Sequence, residues 1–339
     1  MDSHADIRSR PPTRASRAAV MGLAWLWSAT VMADRPLVPD TVQTHPDGRA
    51  PIQSLYDSYL SLRDRGWVLD IVTESRPAGR ETALPIIALR TKHTGPAVWI
   101  LSGIHGEETA GPNAIAASID AIAELGEHRA LVLMPLNNPQ GYVHNWRYLN
   151  MPVYSPDAEG QSVGDSSHLL PDPDRPGRAR SPGPSSPEAD AITSYVLAHT
   201  GDYPPEASID LHEDDLISEG YVYSQGVLGA GDPLALTAVR VLREHGLPLK
   251  MGGQTRFGET IENGVIGPVA DSSIDELMSA ASIIADGRVI PGPRAHTVLV
   301  FETPAAEFAL AQRVAAHAAL LRQLAAELAA ESPGSEPGR

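Results

Sequence analysis

Three short runs in this chain contain unbroken apolar stretches: AVWILSGI at 97–104, ALVLMPL at 130–136 and TVLVFETP at 297–304. A strand with one wet face alternates apolar and polar residues. These three runs do not alternate, so each reads as a strand covered on both sides, and ASIDLH at 207–212 reads as a further buried strand. Between them lie stretches with helical spacing, such as AGPNAIAASIDAIAELGEH, PEADAITSYVLAH and PLALTAVRVLREHG. Strand, helix and strand in turn imply an α/β fold with a mixed, mostly parallel sheet between helices. A length of 339 residues suits one large domain of this kind with tails.

The two ends read differently from the middle. MDSHADIRSRPPTRASR carries four arginines, and the short apolar AAVMGLAWLWSATVMA follows, with Val31 and Ala33 placed as in a small-residue cleavage site. Residues 1–45 therefore read as a signal-peptide-like segment and linker, which implies an exported, periplasmic or secreted protein. Residues 331–339 read as a disordered tail. No other run reaches ~18 apolar residues, so no stable membrane anchor is expected. Residues 151–188 are rich in Pro, Ser, Gly and Asp. That is too long for a routine connection, so the segment is a functional loop or a mobile one.

A net charge of −16 leaves no basic stripe for a phosphate backbone, which argues against nucleic acid. The chain has no cysteine, so a thiolate nucleophile and a Cys-based metal site are both excluded. No G-x-S-x-G elbow and no G-x-G-x-x-G turn follows a strand.

Chemistry-bearing residues collect where apolar strands end: His105 and Glu108 after AVWILSGI, His212 in IDLHEDD, and Glu302 in VLVFETP. Ligands in open α/β sheets bind outside the carboxyl ends of the strands. Two histidines and a glutamate are a known zinc set that leaves a place for water. Glu302, a carboxylate ending an apolar strand, is placed to serve as a base beside such a metal. Each residue alone has a plainer reading: a polar turn at a helix start, a satisfied interior histidine, a strand-end carboxylate. Glu107 lies between the pair and reads as a rim group or as one that supports the ligands from behind.

The order and context of these motifs resemble the zinc carboxypeptidase family, the carboxypeptidase A-like metallopeptidases, and their succinylglutamate desuccinylase/aspartoacylase relatives. HGEE matches the family's His-x-x-Glu pair, and NNPQGY at 137–142 its Asn-Pro-Asp-Gly segment with Gln140 in the Asp place. IDLHE matches the strand of the third ligand, and FETP that of the catalytic glutamate. The likeness spans roughly residues 50 to 325. It implies an eight-stranded mixed sheet and a zinc carboxypeptidase-like catalytic domain over 46–330. It further implies one zinc held by His105, Glu108 and His212, Glu302 as general base, and Arg147 steadying the oxyanion. Developing negative charge does favour a fixed cation beside a metal.

The resemblance weakens at VGDSSHLLP, 163–171. Asp165 falls on the aspartate that would orient a zinc-binding histidine. Ser167 and His168 fall on the Asn-Arg pair that clamps a terminal carboxylate, and histidine lacks arginine's permanent bidentate charge. Tyr221 and Tyr223 are close in sequence to His212 and not to Glu302, so the family's tyrosine has no assigned counterpart. Arg256, with Glu259, Glu262 and Asn263, is a candidate for shaping substrate specificity. The leading expectation is a zinc-dependent hydrolase of a peptide or amide bond. An N-acyl amino-acid deacylase is the alternative, and a non-catalytic binding module on a peptidase scaffold the third reading.

Overall fold

The computed structural model describes residues 37–43, 45–76, 82–149 and 164–330. Most of the signal-like segment, residues 1–36, and the tail at 331–339 lie outside the described residues, as does 150–163.

The first helix, α1 (Ile52–Leu60), tightens into a 3-10 turn over Ser61–Arg65 and stops at Gly66, whose φ of 86° costs glycine little. Strands β1 (Val68–Ser75), β2 (Leu84–Arg90) and β3 (Ala97–Ser102) follow. The stretch expected as one helix is two, α2 (Ala110–Ala117) and α3 (Ile119–His128). Ser118 separates them: its backbone leaves the helical region, and its buried hydroxyl donates to the Ala318 carbonyl at 3.3 Å. A tertiary bond thus overrides local periodicity.

Next come β4 (Ala130–Met134), the short α4 (Pro139–His144), and a hairpin of β5 (Pro171–Asp172) and β6 (Arg175–Ala179). In α5 (Pro187–His199) the Ser186 hydroxyl accepts from Ala189 N–H, with Pro187 at the first turn, as helix starts favour. Strands β7 (Pro205–Asp214) and β8 (Tyr221–Ser224) precede α6 (Pro233–Glu244). The Gly-rich segment read as a shaped loop folds as β9 (Gly252–Gln254), β10 (Thr260–Glu262) and β11 (Val265–Ile266). Then come α7 (Ile274–Ser279), the hairpin β12 (Ser282–Ala285) and β13 (Arg288–Pro291), β14 (Thr297–Pro304) and the long α8 (Leu310–Ala330).

The main sheet runs β1-β2-β4-β3-β7-β14-β8-β11-β10-β9. It is parallel at its centre, from β4 through β3 and β7 to β14, and largely antiparallel toward both edges. It has ten strands among the described residues rather than the eight expected, because the Gly-rich segment adds short strands at one edge.

Both faces are covered, as the unbroken apolar runs require. Ile100, Ile209, Leu211, Leu299 and Phe301 face α1, α2, α3, α6 and α8. Trp99, Leu101, Val132 and Val298 face α5 and α7. Side chains alternate along a strand. With Leu211 and Phe301 on the α8 side, His212, Asp210 and Glu302 are turned to the α7 side.

His317 on α8 is fully buried, and its Nε2 lies 2.9 Å from Thr303 Oγ1. Burial, helped by nearby Arg313, pushes its pKa down to about 3. An unfolded chain protonates this imidazole near pH 6.5, and the folded one does so only near 3. Its contribution to folding is therefore complete above pH 6.5 and is lost as pH falls toward 3. His317→Gln is expected to make the acid-side fall of the urea midpoint shallower across that window. An unchanged profile would count against this assignment.

Candidate active site

His105 lies in the turn after β3, and Glu108 closes it: Glu108 N–H donates to the His105 carbonyl at 3.3 Å, one step before α2 begins. The pair is thus set by a turn and not by a helical face. His212 comes from the end of β7, the strand hydrogen-bonded to β3. Glu108 sits between the two rings. Its Oε1 is 2.7 Å from His105 Nδ1 and its Oε2 is 2.9 Å from His212 Nδ1. Glu108 Oε2 also accepts from Glu213 N–H at 3.1 Å, which ties it to β7.

These three groups can hold a metal ion, their ligating atoms all lying within 4.8 Å of one another. His212 Nδ1 is close to Glu108 yet not aligned for a hydrogen bond, and His212 is only 5% exposed. A buried nitrogen facing a carboxylate without a proton path between them suits a shared cation. Two imidazoles and a carboxylate suit zinc among the divalent ions.

Arg147 follows α4 and donates from one nitrogen to Glu107 Oε1 and Glu108 Oε1, both at 2.8 Å. Glu107, expected at the rim or as a support behind the ligands, holds this guanidinium together with Glu108. A backbone bond from Gly106 N–H to the Arg147 carbonyl at 3.1 Å fastens the Arg147 segment to the His105 turn. Asn138 braces both, its amide donating to the carbonyls of Ile104 and Arg147.

The parallel register of β7 and β14 places Glu302 directly beside His212, and the antiparallel register of β14 and β8 places Tyr221 on its other side. His212, Glu302 and Tyr221 therefore form a row across three strands, all lining one cavity of about 390 Å³. Sequence distance put Tyr221 away from Glu302. The strand pairing brings them together.

Burial dominates the electrostatics. It pushes Glu302 up to about 8, with His212 opposing and Glu108 reinforcing the shift. Burial also works against Glu108, yet His105, His212 and Arg147 hold it well below the usual carboxylate range. Burial disfavours charge on His212, but Asp210 and Glu108 outweigh it and raise the imidazole.

With that geometry in place, comparison is informative. The overall fold matches a metallopeptidase candidate from Shewanella amazonensis SB2B at a TM-score of 0.63 and 21% identity, over 82% of this chain and 93% of that one. A second such candidate, from Shewanella denitrificans OS217, gives 0.61 and 20%, over 88% and 99%. Carboxypeptidase A from Helicoverpa armigera gives 0.52 and 14%, over 86% and 75%. The chain has a zinc carboxypeptidase-like fold. Residues 94–157 match the succinylglutamate desuccinylase/aspartoacylase catalytic domain family. No curated protein matches the sequence.

Within this carboxypeptidase-like fold, several sequence expectations need revision. Asp165 is buried and faces the cavity, but no ion pair joins it to either histidine among the described residues. The carboxylate behind His212 is Asp210, whose Oδ2 lies 3.2 Å from Nε2. The signal was present in IDLH, because residues two apart on a strand share a face. Ser167 and His168 do not line the cavity. His168 Nε2 turns toward α5, 3.5 Å from Thr193 Oγ1 and 3.9 Å from Asp190 Oδ1. Gln140 is a brace: its amide donates to the carbonyls of Ser75 and Thr82. Arg256 does line the cavity, 3.6 Å from Asp214.

Sequence reading also missed Asp271 and Asp275, which enter the cavity from the start of α7. The Ser-Ile-Asp-Glu stretch at 273–276 was a usable signal, since Ser273 Oγ accepts from Glu276 N–H as in a capping box.

Gly106 packs where a Cβ would run into the backbone of Gly141 and the Trp146 carbonyl. Gly106→Ala is therefore expected to separate the His105 turn from the Arg147 segment. The measurable result is a thermal midpoint lowered by several degrees, equivalent to about 1–3 kcal/mol. An unchanged midpoint would show that the two segments give way freely.

Proposed function

We propose that the protein is a zinc-dependent hydrolase of an amide bond, with a peptide or peptide-like substrate. The convergence of His105, Glu108 and His212 beside a half-buried Glu302 carries this reading. The carboxypeptidase-like fold and the desuccinylase/aspartoacylase match support it.

Bound zinc would polarise a carbonyl and acidify a water. Glu302, whose affinity for a proton burial raises, would as the carboxylate take a proton from the attacking water and then, as the acid, return it to the leaving nitrogen. Arg147, held by Glu107 and Glu108, lines the cavity and would stabilise negative charge on the former carbonyl oxygen. Asp210 fixes the orientation of His212 from behind and strengthens it as a ligand.

The family match also favours a second reading, deacylation of an N-acyl amino acid. A cavity with so many carboxylates, and whose guanidiniums among the described residues are already paired with carboxylates, disfavours an acidic substrate such as a succinylglutamate. Retention of the full set of polar groups in one cavity favours catalysis over a purely binding role.

Purified protein is expected to hold one zinc per chain and to lose amide hydrolysis on chelation and regain it with zinc. Glu302→Gln is expected to lower kcat about 10²-fold or more with zinc retained. Arg147→Ala should cost about 10²-fold in kcat. Asp210→Asn should weaken zinc binding about 10–100-fold. Metal analysis, metal titration and steady-state assays on blocked peptides, free-acid peptides and N-acyl amino acids check these outcomes. Full activity in Glu302→Gln would overturn the mechanism.

A further inference from the structure

Part of the cavity wall is rich in carboxylates. Asp165 comes from the segment after residue 163, and Asp271 and Asp275 come from the lead-in and first turn of α7. These parts are built together. Ser166 N–H donates to the Ser272 carbonyl at 2.9 Å, Ser272 N–H donates to Glu276 Oε2 at 2.7 Å, and Arg180 donates to the Ser272 hydroxyl at 2.9 Å. Ser272 sits at a φ of 69°, a cost that its three bonds offset.

No cationic side chain lies within ion-pair distance of Asp165, Asp271 or Asp275 among the described residues. The two guanidiniums that reach the cavity are committed elsewhere, Arg147 to Glu107 and Glu108, and Arg256 to Asp214. Arg180, behind the wall, is paired with Glu276. The segment 150–163 has no Lys or Arg to contribute.

An independent observation points to a ligand. Asp275 is only 3% exposed, lines the cavity, and its Oδ1 has no hydrogen-bond partner. Its carboxylate also comes within 4.8 Å of His212 and Asp210. Buried carboxylates crowded together are costly, and a positive charge entering the cavity offsets that cost. A volume of about 390 Å³ holds a side chain together with the amide it flanks.

We infer that Asp165, Asp271 and Asp275 form a cation-accepting subsite, so that the substrate carries an ammonium or guanidinium group next to the scissile amide. This rests on reading the cavity as the active site, and it names the substrate class for that site.

The test is equilibrium binding, read without turnover. Nα-acetyl-L-lysine amide, its norleucine counterpart and its glutamate counterpart are titrated into the zinc-loaded full-length Glu302→Gln chain. The lysine compound is expected to bind at least about tenfold more tightly than norleucine, and glutamate most weakly. Asp275→Asn and Asp271→Asn, each added to that chain and confirmed folded by thermal melting, should bring the lysine-to-norleucine ratio toward one. Norleucine or glutamate binding as well as lysine overturns the proposal, as does a ratio unmoved by both substitutions. Absence of lysine binding in the millimolar range overturns it too. A second zinc per chain that Asp275→Asn abolishes, without lysine preference, would reassign the wall to a metal. Zinc stoichiometry and peptide turnover are separate readouts, so failure of the hydrolase reading is distinguishable from failure of this one.

Discussion

The register between β7 and β14 is the constraint on which the rest of this site depends. Glu302 pairs with His212, and the residues on either side alternate into the α8-side core. A slip of one residue would turn both side chains to the wrong face and bury Leu211 and Phe301 among carboxylates. The apolar residues that stabilise the sheet therefore also hold the catalytic candidates in position. Tyr221 joins the row through the antiparallel partner β8, so two successive strands and the distant β14 meet at one polar line.

Within that frame, one residue type is drawn in opposite directions. Glu108 is surrounded by His105, His212 and Arg147 and stays ionised despite burial. Glu302 is half-buried, with less cationic company, and burial raises it toward neutrality. Two carboxylates pushed apart in acidity by their surroundings are suited to different tasks, one as a permanent anion and one as a proton carrier. Neither difference comes from the glutamate itself. Each comes from which loop ends the fold sets beside it.

Much of this was legible in the chain. Unbroken apolar runs implied buried strands, and the polar residues at their ends marked His105, Glu108, His212 and Glu302. What was not legible depended on non-local contacts. Tyr221 beside Glu302 required knowing that β8 pairs with β14. The break at Ser118 depends on a carbonyl 200 residues away. Asp271 and Asp275 lie where no apolar period announces an element. The motif match over Ser167 and His168 fell in a Pro- and Ser-rich stretch, where no periodicity fixes which way a side chain turns. His168 faces α5 instead.

Glu213, next to His212, faces the other side of the sheet. Its carboxylate accepts from Ala110 N–H at the start of α2 and from Arg313 of α8. Two consecutive residues of β7 thus divide their duties, one toward chemistry and one toward assembly. The position of the His105 turn, which leads into α2, is in this way keyed to a guanidinium on the last helix. Sequence drift in that helix is consequently free at most outward positions, but Arg313 carries a constraint that originates in the distant cavity.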